Sequence, residues 1–540
     1  MSSQKVHIIE NTKKVLMPYN RQVAALIAHA QEIRQPSGNR YLVLPHNHTE
    51  TKILSNLGYD VPAPILTQYD WSGVTPFASQ RVTAAMMSTE RRCYVLNSMG
   101  TGKTLATLFA YDYLRAVGEA NRMLVVAPLS TLNTVWANEV FIHFPHLTTS
   151  VLHGAKARRL KYLNLDSDIY IINHDGVETV RDALEERRDI NVVAIDELAT
   201  YRNRSTDRWK SLNRVVKPRR WVWGLTGAPI PKAPTDAYAQ IKLITPMSGP
   251  HLFKEFRNRT MTQVTQFRWI PQSSAKEKVY EWMQPSVRFS LADCVDLPPT
   301  TISTREVAFT SAQKKAYSEM MKQFYVDLKA TGGEVKAANA GVQMSKLLQI
   351  ACGFAYDTNS TGHDIGAAPR VQLVKDLIDE AEGKVIVFAP FRHTLQGLTD
   401  ELNKEYAYTA QNPLLDSADN MTPAMQIHGG ISARIRERIF AGFQHGSHPR
   451  IIVAHPKVMA HGLTLTAGST IIWYAPYPDN EVVEQANARI ARPGQKMHTH
   501  IINIQGSAVE RKIYTVLSKR GKLQTELLDM FRDGAFDKYQ

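Results

Sequence analysis

The sequence has few cysteines and no long apolar run, and both absences narrow the class of protein. Of 540 residues only Cys93, Cys294 and Cys352 are cysteines, and they lie far apart with no C-x-x-C pair. This excludes a disulfide framework and a cysteine-rich zinc site, and it predicts a reducing compartment. No apolar run approaches the ~20 residues that span a bilayer, so no membrane contact is expected. The segment Met1–Lys5 lacks the apolar core of a signal peptide, which predicts a cytoplasmic protein, with a nuclear location as an open alternative.

Composition places the chain among folded proteins with an anionic partner. Hydrophobic residues make up 44% and charged residues 21%, which is too apolar for a disordered chain. The 64 Lys and Arg residues exceed the 50 Asp and Glu residues and give a net charge of +14. Such an excess favours a polyanion such as nucleic acid, because neutralised phosphates release condensed counterions.

Two blocks of apolar strands alternate with amphipathic helices, which predicts two doubly wound α/β lobes with parallel strands buried on both faces. The predicted strands are 94–96, 123–127, 169–172, 192–195 and 222–225 in the first block, and 385–388, 451–454, 470–473 and 501–504 in the second. The predicted segments are a small N-terminal α+β domain at 1–72, a first lobe at 73–245, a mostly helical insert at 246–370, a second lobe at 371–507 and a C-terminal helical brace at 508–540. Within the first segment, helical spacing predicts a helix over 23–33.

The segment Asn97–Thr104, between a predicted strand and helix, is typical of a phosphate-binding loop. The backbone N–H groups of such a turn and the helix N-terminus face a phosphate. This places the Met99, Gly100, Thr101 and Gly102 backbone on ATP. Lys103 would reach the β/γ-phosphates, and the Thr104 hydroxyl would ligate Mg²⁺. Asn97 stands where the usual G-x-x-x-x-G-K-[ST] pattern has glycine, and a glycine-rich turn with a surface lysine is the alternative.

An acidic pair follows the apolar run 192–195 and supplies the second half of a nucleotide site. Asp196 is predicted to hold Mg²⁺ through water, and Glu197 to orient and deprotonate the attacking water. Elsewhere such a pair usually begins a solvated helix, but its position after a buried strand favours the catalytic interpretation.

Further segments, in chain order, resemble the motifs of superfamily-two helicases, and within them the Swi/Snf-like DNA translocases. The resemblance covers roughly residues 75–520, and its most specific part is the string Q-x-x-x-R-x-x-R-x-G-Q at Gln485–Gln495. The other segments are Phe77–Gln80, Val125–Leu132 with Trp136 and Glu139, Asp196–Glu197, Leu225–Pro229, Ile427–Gly430 with Arg436 and Phe443, and His461–Ala467.

The resemblance implies two RecA-like lobes in tandem with ATP held between them, and it assigns roles to residues of both. Gln80 would read adenine, Gly462 and Gln485 would join the ATP site, and Thr226 and Gly227 would couple that site to the nucleic acid. Arg489 and Arg492 would neutralise the γ-phosphoryl charge, and on a helix their spacing of three would place them on one face. The implied contacts with the DNA backbone are Ser130, Thr131, Asn173, His174, His428, Gly429, Gly430 and Thr464.

Several of these residues have a structural alternative. Asn173 and His174 could cap a helix, and His428–Gly430 could be a plain turn. Trp136, Trp473 and Tyr477 could stack on bases, but core packing is the preferred interpretation.

The function implied is an ATP-dependent translocase or helicase that moves along duplex, single-stranded or branched DNA and remodels forks, branches or bound proteins. An RNA helicase of the same superfamily is one alternative, and a nucleotide-controlled binding subunit with little hydrolysis is another. The latter is motivated by Asn97 in the phosphate-binding loop and by Ala199, which replaces the histidine of the family's D-E-x-H motif. The compact build resembles virus- or phage-encoded relatives and annealing helicases, which implies a bacterium or an infected host cell. No nucleosome-binding module is recognisable, and protein partners are not indicated.

Overall fold

The protein divides into two compact units, with the boundary between Cys294 and Val295. The computed structural model describes residues 4–9, 12–71, 73, 75–266, 268–330, 337–356, 362–406, 422–459 and 464–519. Among these residues, no helix combines the length and apolar character needed to cross a membrane.

The chain begins with a small sheet packed on two helices. Strands β1 to β6 are Gln4–Lys5, His7–Ile9, Lys14–Pro18, Gln31–Arg34, Arg40–Pro45 and Tyr59–Asp60, and helices α1 to α3 are Arg21–Leu26, His48–Asn56 and Pro64–Gln68. Strands β2, β3, β5 and β4 form an antiparallel sheet in that order. The helix predicted over 23–33 is wrong beyond Leu26, because Gln31–Arg34 pairs with β5 as an edge strand.

The first lobe of unit 1 is a seven-stranded parallel sheet with helices on both faces. Strands β7 to β12 are Arg92–Val95, Arg122–Ala127, Thr149–Leu152, Ile169–Asn173, Ile190–Ile195 and Trp221–Leu225, and helices α4 to α11 are Ala78–Thr89, Lys103–Ala116, Asn138–His143, Lys156–Leu163, Gly176–Thr179, Arg181–Glu186, Asp207–Val216 and Ala237–Ile244. Two separate apolar clusters fill the two sides of the sheet, which explains why its strands are continuous apolar runs.

A hairpin flanked by helices follows this lobe within unit 1. Its elements are α12 (Phe253–Thr260), β13 (Met261–Gln263), β14 (Trp269–Pro271), α13 (Ala275–Trp282) and β15 (Ser286–Val287). Strand β15 joins the large sheet, whose order is β15-β7-β12-β11-β8-β10-β9.

Unit 2 contains a second parallel sheet, in the order β16-β23-β22-β19-β21-β20. Strands β16 to β23 are Thr300–Glu306, Phe354–Tyr356, Gly362–Asp364, Lys384–Phe388, Ala424–Ile427, Ile451–Ala454, Gly468–Trp473 and Thr499–Gln505, and helices α14 to α20 are Ser311–Ala330, Ala337–Ala351, Ala368–Asp379, Arg392–Tyr406, Ala433–His445, Pro456–Met459 and Asn480–Asn487. Residues 508–519 are helical.

The predicted fold class is confirmed, since each of the nine predicted strands lies in one of the two parallel sheets. Strands β15 and β16 were not predicted, and both lie in the segment interpreted as a mostly helical insert. The unit boundary also divides that segment.

Candidate functional site

The glycine-rich turn after β7 has the shape of a phosphate cradle. Gly100 and Gly102 adopt φ of 80° and 74°, which glycine tolerates and other residues rarely do. Gly102 is the N-cap of α5, so the N-terminus of a 14-residue helix opens directly on the turn. The Lys103 ammonium lies within the turn, where it donates to the carbonyls of Asn97 and Ser98 at 3.0 and 3.1 Å. The turn can therefore present backbone N–H groups and a lysine to a phosphate.

Gln80 is built into the same turn. Its Oε1 accepts from the Phe77 N–H at 2.8 Å, and its Nε2 donates to the Gly102 carbonyl at 3.1 Å. A Cβ at Gly102 would approach Gln80 Nε2 to 2.1 Å, so a larger residue there would displace the Gln80 amide from the loop. Gln80 thus lies against the phosphate loop, and its contact with adenine remains a prediction.

Asn97, the departure from the usual loop pattern, is a structural crosslink. Its side chain is buried, with Nδ2 donating to Thr83 Oγ1 at 2.9 Å and Oδ1 accepting from the Phe289 N–H at 2.9 Å. Asn97 therefore fixes the start of the loop to α4 and to the segment after β15. A glycine could not make either bond.

The two carboxylates predicted for the metal and the water lie at the end of β11. The Asp196 N–H donates to the Val126 carbonyl, and the Glu197 N–H donates to Asp196 Oδ1 at 3.0 Å. Strand β12 separates β11 from β7, so the carboxylates are two strands away from the strand that carries the phosphate loop. Burial and the charge of Glu197 raise the pKa of Asp196, while the Lys103 ammonium opposes that shift. Glu197 has φ of 48°, a strained value for a residue that is not glycine.

Trp136 is a member of this site that sequence reasoning assigned to the core. Its indole is fully buried, and Nε1 donates to Asp196 Oδ2 at 3.0 Å. It lies on a π-helical segment, Leu132–Ala137, that directly follows the predicted DNA contacts Ser130 and Thr131. The sequence signal was the position of Trp136 in the segment resembling the family's second motif.

The predicted coupling residues lie beside the phosphate loop. The Thr226 N–H donates to the Val95 carbonyl at the end of β7, and its Oγ1 accepts from the Ala228 N–H. A Cβ at Gly227 would lie 3.5 Å from the Asn97 carbonyl and 3.8 Å from the Met99 nitrogen. Movement of this loop would therefore displace the backbone of the phosphate loop or be blocked by it.

The predicted DNA contacts of unit 1 differ in their exposure. Ser130 is exposed, whereas Thr131 is buried and donates to the Pro128 carbonyl. Asn173 and His174 are buried: Asn173 Oδ1 accepts from Arg159, and His174 Nδ1 contacts the Tyr201 hydroxyl at 3.1 Å. Contact of these side chains with DNA remains a prediction.

Arg489 and Arg492 follow α20 and do not lie on a helix, so the shared-face argument is wrong. The helix ends at Asn487, and Pro493–Gly494 follows the two arginines. Arg489 is buried, and Arg492 donates to the Ala488 carbonyl at 2.7 Å and to Thr464 Oγ1 at 3.3 Å. The two arginines therefore lie on a turn. The same turn brings Arg492 to Thr464, a predicted DNA contact.

Two glutamines of the same string are buried. Gln495 bonds the carbonyls of Gly468 and Ile490 at 2.8 and 3.0 Å and so fixes the turn that carries the arginines. Gln485 is also buried.

His428 Nδ1 accepts from the Gly430 N–H at 3.0 Å, the geometry of a closed turn at His428–Gly430. Gly462 lies outside the described residues.

The residues of unit 1 fit a nucleoside triphosphate with a divalent cation. A polyphosphate suits the loop, because the loop has positive φ at two glycines, a lysine and a helix N-terminus. A divalent cation suits the carboxylate pair, because each carboxylate raises the energy of the other when no cation is bound. The Thr104 hydroxyl lies one residue after Lys103, in the first turn of α5.

Comparisons with known proteins match both units. The family model of the SNF2-related domain matches residues 77–353, and that of the helicase conserved C-terminal domain matches residues 369–494. A protein designated p41 of Acyrthosiphon pisum secondary endosymbiont phage 1 is 24% identical over 487 residues, which cover 84% of this chain and 97% of that protein. The DNA annealing helicase and endonuclease ZRANB3 of Mus musculus is 22% identical, with 84% of this chain and 40% of that protein covered.

A solved structure, the Sulfolobus solfataricus SWI2/SNF2 ATPase core in complex with dsDNA, matches with a TM-score of 0.40 and 20% identity, covering 85% of this chain and 94% of that one. The chain thus spans nearly all of the phage protein and about two fifths of the annealing helicase.

Proposed function

Because the chain belongs to the SNF2-related, Swi/Snf-like family of superfamily-two helicases, we propose that it is a DNA-stimulated ATPase that moves along DNA without regard to sequence. The observation that carries this proposal is the arrangement in unit 1 of a phosphate loop, a carboxylate pair and a coupling loop around one cradle. The partner is DNA, and the substrate is ATP with Mg²⁺.

In this proposal each group at the cradle has one task. Lys103 and the loop N–H groups bind the β- and γ-phosphates, and Thr104 with Asp196 hold Mg²⁺, which supplies charge neutralisation. Glu197 orients the attacking water and accepts its proton. Gln80 supports the choice of adenine, since its amide already lies at the Gly102 end of the loop.

Unit 2 would supply the positive charge that the transferred phosphoryl group needs. Arg492 is better suited than Arg489 for contact with the γ-phosphate, because Arg489 is 2% exposed whereas Arg492 is partly exposed. Arg489 would then support the turn. Gly462 and Gln485 are retained as proposed contributors to nucleotide binding.

Movement requires that the DNA contacts sense the nucleotide. The bond from Trp136 to Asp196 provides such a link, because Trp136 follows the exposed Ser130 and reaches the metal-binding carboxylate. This link supports a hydrolysing motor in spite of Ala199. Ser130, Thr131 and Asn173–His174 in unit 1, and His428–Gly430 and Thr464 in unit 2, are the proposed backbone contacts, which carry no sequence information.

The experiment is ATP turnover measured with duplex DNA, single-stranded DNA, branched DNA, RNA or no nucleic acid. We expect duplex or branched DNA to stimulate turnover most, and Lys103→Ala and Glu197→Gln to lower it by about 10²-fold or more. Arg492→Ala should lower turnover by about 10³-fold with a small change in ATP affinity.

The matched control is Glu186→Gln, which removes an exposed carboxylate on α9 and should leave turnover unchanged. Stimulation by RNA alone would identify an RNA helicase instead. A wild type without DNA-stimulated turnover would overturn the proposal in favour of a binding subunit.

A further inference from the structure

The hairpin of β13 and β14 and the two helices around it form a rigid module outside the predicted motifs. Phe256 of α12 and Trp282 of α13 are buried against each other, with ring centroids 4.8 Å apart. Gln272 Nε2 donates to the carbonyls of Asn258 and Met261, and Lys278 donates to the Arg259 carbonyl at 2.7 Å. These bonds tie the hairpin to both helices, so its surface has a defined shape.

The Arg257 guanidinium lies near two aromatic rings of this module. Its guanidinium carbon lies 4.2 Å from the Trp269 ring centroid and 5.8 Å from that of Phe253. In the described part of the chain it forms no ion pair with a carboxylate, and its Nε is buried without a hydrogen-bond acceptor. Arg257 as a whole is partly exposed, and a guanidinium fixed by stacking on a ring is a planar group suited to a phosphate.

The same module carries further cations. Residues 253–282 contain six basic and three acidic side chains. Lys254 and Arg268 are exposed, and within the described ranges neither forms an ion pair, whereas Arg259 pairs with Glu255 at 2.6 Å. The hairpin tip adds exposed hydroxyl and amide groups at Thr262, Gln263, Thr265 and Gln266. Such groups are the usual hydrogen-bonding partners of phosphate oxygens.

We propose that this module, centred on Arg257, is a second contact with the phosphate backbone of DNA, in addition to the motif residues. This inference rests on the proposed function. A two-stranded ribbon has dimensions that a duplex groove admits, and this one carries Arg268 at its tip and follows directly on α12, which carries Lys254 and Arg257. Arg257 stacks on a ring, and Lys254 and Arg268 are exposed cations nearby in the sequence. These charges indicate that the partner of the module is a polyanion and not an apolar protein surface.

Contacts within unit 1 connect the module to the proposed nucleotide site. Both α12 and α13 pack against the turn Pro234–Asp236, and Asp236 accepts from the N–H groups of Lys232 and Ala233 at 2.7 and 3.1 Å. This turn continues the coupling loop that begins at Thr226 beside the phosphate loop. DNA bound on the module would therefore lie on the same unit as the site it stimulates.

The test is duplex DNA affinity, measured by fluorescence anisotropy of two unrelated sequences over a range of KCl concentrations. Arg257→Gln should weaken binding of both duplexes several-fold and lower the slope of log K against log[KCl] by about 0.9, the value for one lost phosphate contact. Arg257→Lys, which keeps the charge, should lose less. Lys254→Gln with Arg268→Gln should lower the slope by up to about 2. Lys217→Gln, which removes an exposed cation at the C-cap of α10, is the matched control and should match the wild type.

Wild-type affinity and salt slope in both the Arg257→Gln and the double variant would overturn the second contact while leaving the proposed function intact. A wild type that binds neither duplex would overturn both. If Arg257→Gln loses its thermal unfolding transition, the double variant decides, because the side chains of Lys254 and Arg268 are exposed and carry no packing of the module.

Discussion

At the scale of single residues, the proposed nucleotide site depends on side chains that fix one another. Gln80 is fixed by Gly102, Asn97 by Thr83, and Asp196 by Trp136. Each bond is made in the chain itself and would not need to form when a ligand arrives. This arrangement suits a site whose polar groups must be in place before phosphate binds.

The bond from Trp136 to Asp196 gives a prediction at this scale. Trp136→Phe keeps an aromatic ring in the core but removes a hydrogen bond to a carboxylate, worth about 1.5–3 kcal/mol. We expect DNA-stimulated turnover to fall about tenfold and the Mg²⁺ concentration for half-maximal turnover to rise, because Asp196 loses the donor that orients it. Steady-state ATPase assays over a Mg²⁺ series measure both.

Trp209→Phe is the control for that prediction. Trp209 is also buried, and its Nε1 donates to the Ala239 carbonyl at 2.9 Å without contacting the carboxylates. A similar loss of thermal stability in both variants, with a shifted Mg²⁺ dependence only in Trp136→Phe, is the expected result. An identical Mg²⁺ dependence in the two variants would contradict the positioning role.

At the scale of elements, the helix at 508–519 is attached to unit 2 by a buried ion pair. Arg370 on α16 and Glu510 are 2% and 0% exposed, and Nη1 lies 2.8 Å from Oε1. Glu510 also accepts from the N–H groups of Gly506 and Ser507 at the start of that helix. One carboxylate thus caps the helix and docks it.

Arg370→Met should therefore lower the free energy of unfolding of unit 2 by about 3–5 kcal/mol, since it leaves a buried carboxylate without its cation. Urea denaturation followed by circular dichroism measures this loss. Lys404→Met breaks the exposed pair of Lys404 and Glu401 and should lower the free energy of unfolding far less, because solvent screens that pair. Equal losses in the two variants would show that the Arg370–Glu510 pair does not hold the helix.

Sequence patterns predicted the elements whose environment is uniform and missed those whose partner is distant. Strands such as β11 and β22 are apolar because both their faces are buried, and that pattern is readable locally. Strand β16, T-T-I-S-T-R-E, is exposed and polar, and only its parallel pairing with β23, about 200 residues later, makes it a strand. Strand β15 has two residues and follows Pro285, which is too short for any periodicity.

The site shows the same division. The positions of Lys103, Asp196 and Glu197 followed from local motifs at strand ends. The roles of Asn97 and Trp136 did not, because their partners Phe289 and Asp196 are 192 and 60 residues away. The prediction that Arg489 and Arg492 lie on a helix was wrong, because α20 ends at Asn487. Pro493 and Gly494 follow shortly after in the sequence.

At the scale of the whole molecule, the account requires one nucleotide cycle to be converted into movement along DNA. Unit 1 carries the proposed phosphate loop and carboxylate pair, and unit 2 carries the arginine turn held by Gln495. Both units are α/β lobes of one chain, so a step would be a change in which lobe holds the DNA backbone. DNA-stimulated hydrolysis is necessary for this cycle but does not by itself show movement. Displacement of an obstacle from DNA is the direct result of movement.

The most direct measurement is displacement of a triplex-forming strand from duplex DNA, compared between the wild type and Glu197→Gln. We predict that the wild type releases the third strand only with ATP and Mg²⁺, after a delay that grows with the length of duplex beside the triplex. Glu197→Gln should bind the same DNA and release nothing. A wild type that hydrolyses ATP on this DNA but leaves the third strand in place would contradict the translocase account, as would equal release by the variant.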